Sequence, residues 1–180
     1  MAIQKTKGII AILTGGGDVP GLNPAIRAVT IRANREGYKV IGLRRGWAGI
    51  SELIRDTKAD NSNNYQILTD DIVNKAGRTG GTFLHTSRTN PQRVKAEDVP
   101  EFLKGSPLGD QISPDGTMDF TRHILKVLDR LGVESLISIG GDDTLSYSVR
   151  LMKEGMPVVA IPKTMDNDVA LPEPDAQTYG

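Results

Sequence analysis

The residues best suited to chemistry in this chain follow a short apolar run, residues 137–141, that ends in two glycines. Asp142, Asp143 and Thr144 come directly after it. Glycines at the end of a strand let backbone amides approach an oxyanion, and a helix that begins there adds a partial positive charge. Because a carboxylate alone would repel a phosphate, Asp142 is better suited to holding a hard cation such as Mg²⁺ against that phosphate. The alternative is an ordinary strand-to-helix turn with an aspartate cap.

A second glycine-rich turn follows the apolar residues 8–13, near the start of the sequence. We expect Gly15, Gly16 and Gly17 to turn their amides inward toward a phosphate, with a helix opening just beyond them at residues 20–24. The turn is neither the G-x-G-x-x-G dinucleotide fingerprint nor a P-loop, because no G-K-[ST] follows it. The alternative is a glycine-rich connection that serves packing only.

A third polar segment follows the apolar residues 156–161, which we expect to form a buried strand. It contains Lys163, Thr164, Asp166 and Asp168. A carboxylate at the end of a strand can accept a proton from an attacking hydroxyl, and Lys163 can hold charge on a phosphoryl group in transfer. A segment with a purely structural role is the alternative.

The loop at residues 78–91 combines Arg78 and Arg88 with glycines and hydroxyl side chains. Guanidinium groups together with hydroxyl donors suit a phosphate dianion. This composition predicts a further contribution to phosphate binding, and a solvated basic loop is the alternative.

The elements that must position these turns are apolar runs and amphipathic segments in alternation. Runs of strand length lie at residues 8–13, 39–43, 133–139 and 156–161, and helical patterns lie at residues 20–36, 69–76, 121–131 and 144–154. This order predicts an α/β fold with a doubly wound, mostly parallel sheet between helical layers. Away from the strand ends, we expect Trp47 to pack a loop over the sheet edge and His123 to face solvent or a partner.

In a doubly wound sheet the three turns would share the edge at which parallel strands have their carboxyl ends. That edge would then combine an anion-binding turn, a metal-binding carboxylate and a base. These are the parts that phosphoryl transfer requires. The alternative is three unrelated packing turns.

Composition narrows the classes of partner. The chain has 180 residues, which suits one domain or one lobe of a larger protein. Lysine plus arginine and aspartate plus glutamate both number 22, and aromatic residues make up only 4%, so we expect no nucleic-acid partner. No apolar run approaches the ~20 residues of a membrane span, so we expect no membrane partner either. The absence of cysteine fits a reducing compartment, and we expect a cytoplasmic protein.

The motifs together resemble those of the 6-phosphofructokinases over nearly the whole chain. The matching segments are residues 13–18, 20–23, 80–88, 140–143 and 162–168. The resemblance implies a three-layer, Rossmann-like lobe that transfers a phosphoryl group to the 1-hydroxyl of fructose 6-phosphate, giving fructose 1,6-bisphosphate. It also implies that Asp166 is the base on that hydroxyl, that Thr164 contacts the transferring phosphoryl group or the sugar, and that Asp168 supports the metal or the base.

On the donor side, the resemblance implies that Gly16, Gly17 and Thr144 contact the donor phosphates. Arg88 would neutralise charge on the phosphoryl donor. Asp142 would be the carboxylate that binds Mg²⁺, the expected cofactor.

Two positions indicate which donor is used. ATP-using members of the family typically carry glycine where this chain has Asp143 and Lys163, and this pair resembles the pyrophosphate-using type. Asp143 would lie where the α-phosphate of a nucleotide goes, and like charges so close together are costly. Lys163 would replace the charge compensation that is lost with the nucleotide. Because some ATP-using members have the lysine without the aspartate, Asp143 carries most of the argument, and ATP is the alternative donor.

Family members are usually much longer and have two lobes. We therefore expect residues 1–180 to be the N-terminal, donor lobe of a longer enzyme, with most of the sugar-binding lobe absent and little activity in isolation. The whole enzyme is expected to be a homo-oligomer, a dimer or a tetramer. A non-catalytic regulatory subunit on the same fold is an alternative of another class, but it would be expected to lose Asp142 or Asp166. A lipid or NAD kinase with a similar glycine turn would lack the segment at residues 162–168.

Overall fold

The computed structural model describes residues 6–56, 58–104 and 114–164. The strands in these ranges are β1 (Ile9–Thr14), β2 (Lys39–Leu43), β3 (Tyr65–Leu68), β4 (Val94–Lys95), β5 (Thr117–Met118), β6 (Val133–Gly140) and β7 (Val158–Pro162). The helices are α1 (Leu22–Arg35), α2 (Gly46–Ser51), α3 (Asp70–Ala76), α4 (Thr121–Arg130) and α5 (Asp142–Lys153), with 3₁₀ turns at Ala96–Asp98 and Glu101–Leu103. None of the helices in these ranges is long and apolar enough to cross a membrane.

The central sheet contains five of the described strands in the order β3-β2-β1-β6-β7. Four of them run parallel, and β3 runs antiparallel to β2 at one edge. β1 is central, because Ala11 pairs with Ile41 of β2 on one side and with Leu136 of β6 on the other. The predicted doubly wound, mostly parallel sheet is confirmed, and the carboxyl ends of β1, β6 and β7 lie side by side.

Helices cover both faces of this sheet, since successive residues of β1 point into different cores. Ala11 and Leu13 belong to the core shared with α2, α4 and α5, whereas Ile12 belongs to the core shared with α1 and α3. All three residues are fully buried. The result is the three-layer arrangement that a continuous apolar strand predicts.

Local signals fix the ends of the helices. Thr69 accepts a hydrogen bond from the amide of Ile72 and so caps α3, while Gly37, with a positive φ of 88°, follows the end of α1. α5 begins slightly earlier than expected, at Asp142, because Gly141 takes the N-cap position. The two aspartates therefore lie in the first helical turn, where negative charge complements the helix dipole.

The edge strands differ from expectation. β3 is not predicted from the sequence, because it has only four residues and leaves Ile67 55% exposed. β7 begins at Val158 and is not a buried strand, as Val159 is 59% exposed. Among the strands of the described ranges only β6 pairs with β7, and the expectation of burial on both faces is wrong for it.

Trp47 lies in the short helix α2 and not in a loop, which corrects the expectation for this residue. It is 1% exposed, and its ring meets that of Tyr147 edge to face, with centroids 4.7 Å apart and planes at 84°. α2 follows Arg45, which has a left-handed conformation with φ of 57°. A Cβ on Gly49 would overlap the carbonyl oxygen of Arg44, so the chain needs glycine there. Six residues with two glycines have low helix propensity, which is why the sequence pattern misses this helix.

His123 is buried on α4, so the expectation that it faces solvent or a partner is wrong. Its ring lies 5.9 Å from that of Phe102 and 6.2 Å from that of Phe120, between centroids. Burial, together with the positive charge of Arg55, lowers the pKa of His123 to about 4, so the imidazole is neutral at pH 7. His123 precedes the buried Val127 by about one helical turn and therefore shares its inward face.

Candidate functional site

Three turns at the carboxyl edge of the sheet, after β1, β6 and β7, form the candidate site. After β1, the amide of Gly15 donates to the carbonyl oxygen of Ile139 at 2.9 Å, and the amide of Gly16 donates to that of Ser87 at 3.1 Å. The expectation that three glycine amides turn toward a phosphate is therefore wrong, because two of them hold the turn to its neighbours. Gly17, exposed at the tip of the turn, is left as the glycine best placed to meet an anion.

Arg88 is exposed at the end of the segment formed by residues 81–88. Hydroxyl groups connect this segment to the glycine turn by hydrogen bonds. Thr14 Oγ1 donates to the carbonyl oxygen of His85 at 2.9 Å, and Thr86 Oγ1 donates to that of Gly16 at 2.5 Å. Because the amide of Gly16 also bonds to this segment, the segment and the turn form one hydrogen-bonded unit. This unit carries Arg88 to the same edge of the sheet as the glycines.

The start of the same segment is held by Asp18 and Asn23. Thr82 Oγ1 donates to the carboxylate of Asp18. Asn23, buried in the first turn of α1, donates to the carbonyl oxygen of Gly81 at 2.7 Å and accepts from the amide of Phe83 at 2.8 Å. Sequence reasoning assigns no role to Asp18 or Asn23, and it gives the hydroxyls of this loop to phosphate, whereas the hydroxyl of Thr82 bonds to a carboxylate.

Asp142 and Asp143 are exposed in the first turn of α5, directly after β6. Gly141 is the N-cap and no side chain caps this helix, so the interpretation of an aspartate as the cap is wrong. The helix dipole stabilises negative charge at these positions while the carboxylates face solvent. A cation or a charged substrate can therefore reach both carboxylates.

Thr144 lies beneath the glycines and is only 4% exposed. A Cβ on Gly15 would overlap Thr144 Oγ1, and a Cβ on Gly140 would lie 2.5 Å from Thr144 Cβ. The structure thus gives this side chain a packing position between two turns. Its predicted contact with the donor phosphates stays a prediction.

Lys163, at the end of β7, reaches across the sheet edge to the glycine turn. Its amide donates to the carbonyl oxygen of Gly140 at 3.0 Å, and its ammonium donates to that of Gly17 at 2.5 Å. Lys163 is 8% exposed, and this burial lowers its pKa. The negative charge of Asp18 raises the pKa of Lys163 and the positive charge of Arg88 lowers it. Both side chains therefore act electrostatically on the Lys163 ammonium.

The remaining candidates are at the margin of the described ranges or outside the site. Thr164 is half-buried next to Lys163. Asp166 and Asp168 lie outside the described residues, so their roles stay predictions. Arg78 lines a separate surface cavity with Arg27 and Asn74. It lies outside the hydrogen-bonded segment that carries Arg88.

The residues present fit a magnesium ion that a phosphate helps to hold. Within the described ranges, no cluster of three or more histidine, cysteine, aspartate or glutamate side chains could form a complete cage for a metal. Mg²⁺ is usually bound through one or two carboxylates together with substrate phosphates and water. Asp142 and Asp143 offer two accessible carboxylates at one helix start, which suits this kind of site.

Residues 9–173 match the family described as Phosphofructokinase. The chain belongs to this family. The chain is 38% identical over 160 residues to the pyrophosphate--fructose 6-phosphate 1-phosphotransferase of Dictyoglomus thermophilum, and 39% identical over 162 residues to the enzyme of that name from Amycolatopsis mediterranei. It is also 36% identical over 161 residues to an ATP-dependent 6-phosphofructokinase of Mycobacterium tuberculosis. The resemblance seen in the motifs is confirmed.

These alignments cover 89% of this chain but only 37% of the Dictyoglomus relative and 38% of each of the other two. The chain therefore spans less than two thirds of the length of these relatives. Their names include both pyrophosphate and ATP as donors at similar identities, so the family is established and the donor is a separate question.

Solved phosphofructokinases share the fold of this chain. The Pichia pastoris enzyme in the T-state superposes with a TM-score of 0.59 at 21% identity, covering 94% of this chain and 15% of that one. The pyrophosphate-dependent phosphofructokinase of Marinobacter aquaeolei gives a TM-score of 0.57 at 16% identity, covering 89% and 34%. At such identities the likeness concerns the fold, and it supports the layered α/β architecture described above.

Proposed function

We propose that the whole protein to which this chain belongs transfers a phosphoryl group from pyrophosphate to the 1-hydroxyl of fructose 6-phosphate, giving fructose 1,6-bisphosphate and phosphate. Residues 1–180 form its donor lobe, and a second lobe supplies most of the sugar-binding residues. The proposal is supported by family membership and by the meeting of a glycine turn, two carboxylates and a buried ammonium at one sheet edge.

One observation carries the choice of pyrophosphate, namely the exposed carboxylate of Asp143 beside Asp142 in the first turn of α5. A nucleotide donor carries a further phosphate beyond the pair that reacts, and that phosphate would approach Asp143. Like charges at close range are unfavourable, and this works against a nucleotide more than against pyrophosphate. Lys163, with its ammonium at the glycine turn, supplies positive charge that a nucleotide-free donor needs.

The donor would be bound by Gly17 at the tip of the turn, with Arg88 and Lys163 neutralising its charge. Mg²⁺, when bound by Asp142, would supply further neutralisation of the donor phosphates. Because Lys163 and Arg88 already lie within electrostatic range of each other, an anion between them relieves their mutual repulsion. This is the electrostatic preorganisation on which phosphoryl transfer depends.

On the acceptor side, Asp166 takes the proton of the 1-hydroxyl as the hydroxyl oxygen forms its bond to phosphorus. The bond between that phosphorus and the bridging oxygen of pyrophosphate breaks, and phosphate leaves. Thr164 contacts the group in transfer or the sugar, and Asp168 supports the base or the metal. These three assignments rest on the motif at residues 162–168.

ATP is the second candidate donor, and the 36% identity to ATP-dependent relatives favours it. In that case the carboxylate of Asp143 would point away from the bound donor. The phosphoryl acceptor and the roles of Asp142 and Asp166 would be unchanged.

Donor competition tests the proposal. The whole protein is supplied with fructose 6-phosphate and Mg²⁺ together with either pyrophosphate or ATP, and the assay is repeated with Asp143→Gly. We expect turnover with pyrophosphate, little with ATP, and a gain of ATP turnover in the variant. Wild-type turnover with ATP would contradict the donor assignment, and no phosphorylation of fructose 6-phosphate with either donor would contradict the enzymatic proposal itself.

A matched control is Asp71→Gly, because Asp71 is also an exposed aspartate in the first turn of its helix, α3. This substitution introduces the same backbone flexibility and removes the same charge at a helix start away from the three turns. We expect it to leave donor preference unchanged. An equal gain of ATP turnover in both variants would attribute the effect to helix destabilisation.

A further inference from the structure

The buried side chain of Thr144 lies between the two glycine turns that carry the donor and metal residues. We propose that Thr144 is a positioning residue, whose shape sets the distance between the turn after β1 and the turn after β6. Its effect on donor binding rests on the proposed function, whereas its packing against the two turns does not.

Gly15 is the first partner of Thr144. A Cβ at Gly15 would overlap Thr144 Oγ1 and would lie 2.9 Å from Cγ2 and 3.2 Å from Cβ of the threonine. Gly15 does not have a positive φ, so its backbone could accept another residue without strain. The requirement for glycine at this position therefore comes from the threonine side chain and not from the turn conformation.

Gly140 is the second partner. A Cβ there would lie 2.5 Å from Thr144 Cβ, 2.6 Å from Oγ1 and 2.7 Å from Cγ2. Gly140 also has no positive φ. The side chain of Thr144 thus fills the space that side chains at Gly15 and Gly140 would otherwise occupy, and both turns pack against it.

The backbone of Thr144 is held in place by hydrogen bonds of two serines. Its carbonyl oxygen accepts a hydrogen bond from Ser148 Oγ at 2.8 Å, and Ser148 Oγ is in turn 2.8 Å from Ser138 Oγ of β6. Both serines are buried. The start of α5 is therefore tied to β6 directly below the turn, and a shift of Thr144 would disturb this contact.

Movement of either turn would reach the functional side chains. The amide of Gly15 bonds to the carbonyl oxygen of Ile139, and the amide of Lys163 bonds to that of Gly140. A larger separation at Thr144 would strain both bonds and would move Asp142 relative to Gly17. A misplacement of about 1 Å at such a site can lower catalysis about a hundredfold.

A double-mutant cycle on the chain tests the packing. Gly15→Ala is expected to lower the Tm by about 5 °C, because it forces a Cβ into Thr144. In the background of Thr144→Ala, the same substitution should cost less than half as much, since Oγ1 and Cγ2 are gone and only the 3.2 Å approach of Cβ remains. Gly80→Ala, where a Cβ would meet nothing within 4 Å, is the matched control and should leave the Tm unchanged. Equal losses of Tm from Gly15→Ala in both backgrounds would overturn the proposal.

Donor kinetics of the whole protein test the positioning. We expect Gly15→Ala to raise the KM for pyrophosphate about tenfold, because its Cβ meets Thr144 and separates the two turns. Thr144→Ser, which keeps the hydroxyl and removes Cγ2, should relieve part of this rise when it is added to Gly15→Ala. A KM that stays at the wild-type value in Gly15→Ala, or that is not lowered by adding Thr144→Ser, would overturn the positioning role. If wild-type protein does not use pyrophosphate, the proposed donor fails, while the Tm cycle still decides the packing.

Discussion

The ammonium of Lys163 donates a hydrogen bond to the carbonyl oxygen of Gly17 at 2.5 Å, which joins the end of β7 to the turn after β1. An ammonium has three donors, so the others are available to an anion at the tip of the turn. Arg88 lies within electrostatic range of the same ammonium. The end of β7 and the segment that carries Arg88 thus bring two positive charges near the turn after β1, with Asp18 beside them, where the proposed donor binds.

Replacing Lys163 by methionine tests this point. Lys163→Met keeps much of the apolar stem but removes the charge and leaves the carbonyl oxygen of Gly17 without its donor. We expect kcat with pyrophosphate to fall about a hundredfold in the whole protein, because charge stabilisation of the transferring group is lost. Lys153→Met, at an exposed position in the last turn of α5, is the control and should change kcat by less than about twofold. An undiminished kcat in Lys163→Met would remove the lysine from the mechanism.

The hydroxyl of Thr82 gives a second prediction, because it donates to the carboxylate of Asp18 and holds the start of the segment that carries Arg88. Thr82→Val should lower the free energy of unfolding by about 1 kcal/mol and raise the KM for the donor, measured by denaturant titration and steady-state kinetics. Thr82→Ser keeps the hydroxyl and should restore the KM. If the valine and serine variants behave alike, the hydrogen bond does not position the segment.

His123 gives a prediction for pH. Its pKa is about 4 in the folded chain against 6.5 as the ordinary value, so the unfolded chain binds the proton more readily between these values. Stability contributed by the neutral imidazole is complete above about pH 6.5 and is lost as the pH falls toward 4. The free energy of unfolding should fall by about 3 kcal/mol between pH 6.5 and pH 4 because of this histidine. Denaturant titration at a series of pH values measures this change.

The control for the pH prediction is His123→Leu, which has no titratable group and suits the aromatic surroundings of Phe102 and Phe120. The difference in unfolding free energy between wild type and this variant isolates the histidine from the carboxylates that also titrate in acid. A difference that stays constant from pH 7 to pH 4 would contradict the pKa assigned to His123.

The central strand β1 was predictable from sequence, because it is an unbroken apolar run that is covered on both faces. Ala11, Ile12 and Leu13 show this directly, since neighbouring residues enter opposite cores. The edges were not predictable, because the four residues of β3 carry no clear pattern and the exposure of β7 depends on what lies beside it. α2 escaped prediction because tertiary packing of Trp47 stabilises a helix that its glycines disfavour.

For the site, the sequence correctly predicted that the turns of β1, β6 and β7 share one edge. It did not predict how the glycine amides are used, since the bonds of Gly15 and Gly16 go to segments distant in sequence. The same is true of Thr14 and Thr86, whose hydroxyls bond to backbone carbonyl oxygens that only the folded chain brings near. Residue types indicate which groups can bind phosphate, whereas the partners that occupy those groups are set by tertiary structure.

The bond between Lys163 and Gly17 joins residues that are 146 positions apart, which has a consequence for synthesis of the protein on the ribosome. At elongation rates of about 5–20 residues per second, the N-terminal turn exists for several seconds or longer before its ammonium partner emerges. A chain that lacks residue 163 can pair β1 with β2 and β6 once it is released, but it has no Lys163 ammonium at the turn. Under the proposed function, the full set of charges that meets the donor is therefore assembled only after nearly all of the sheet has been synthesised.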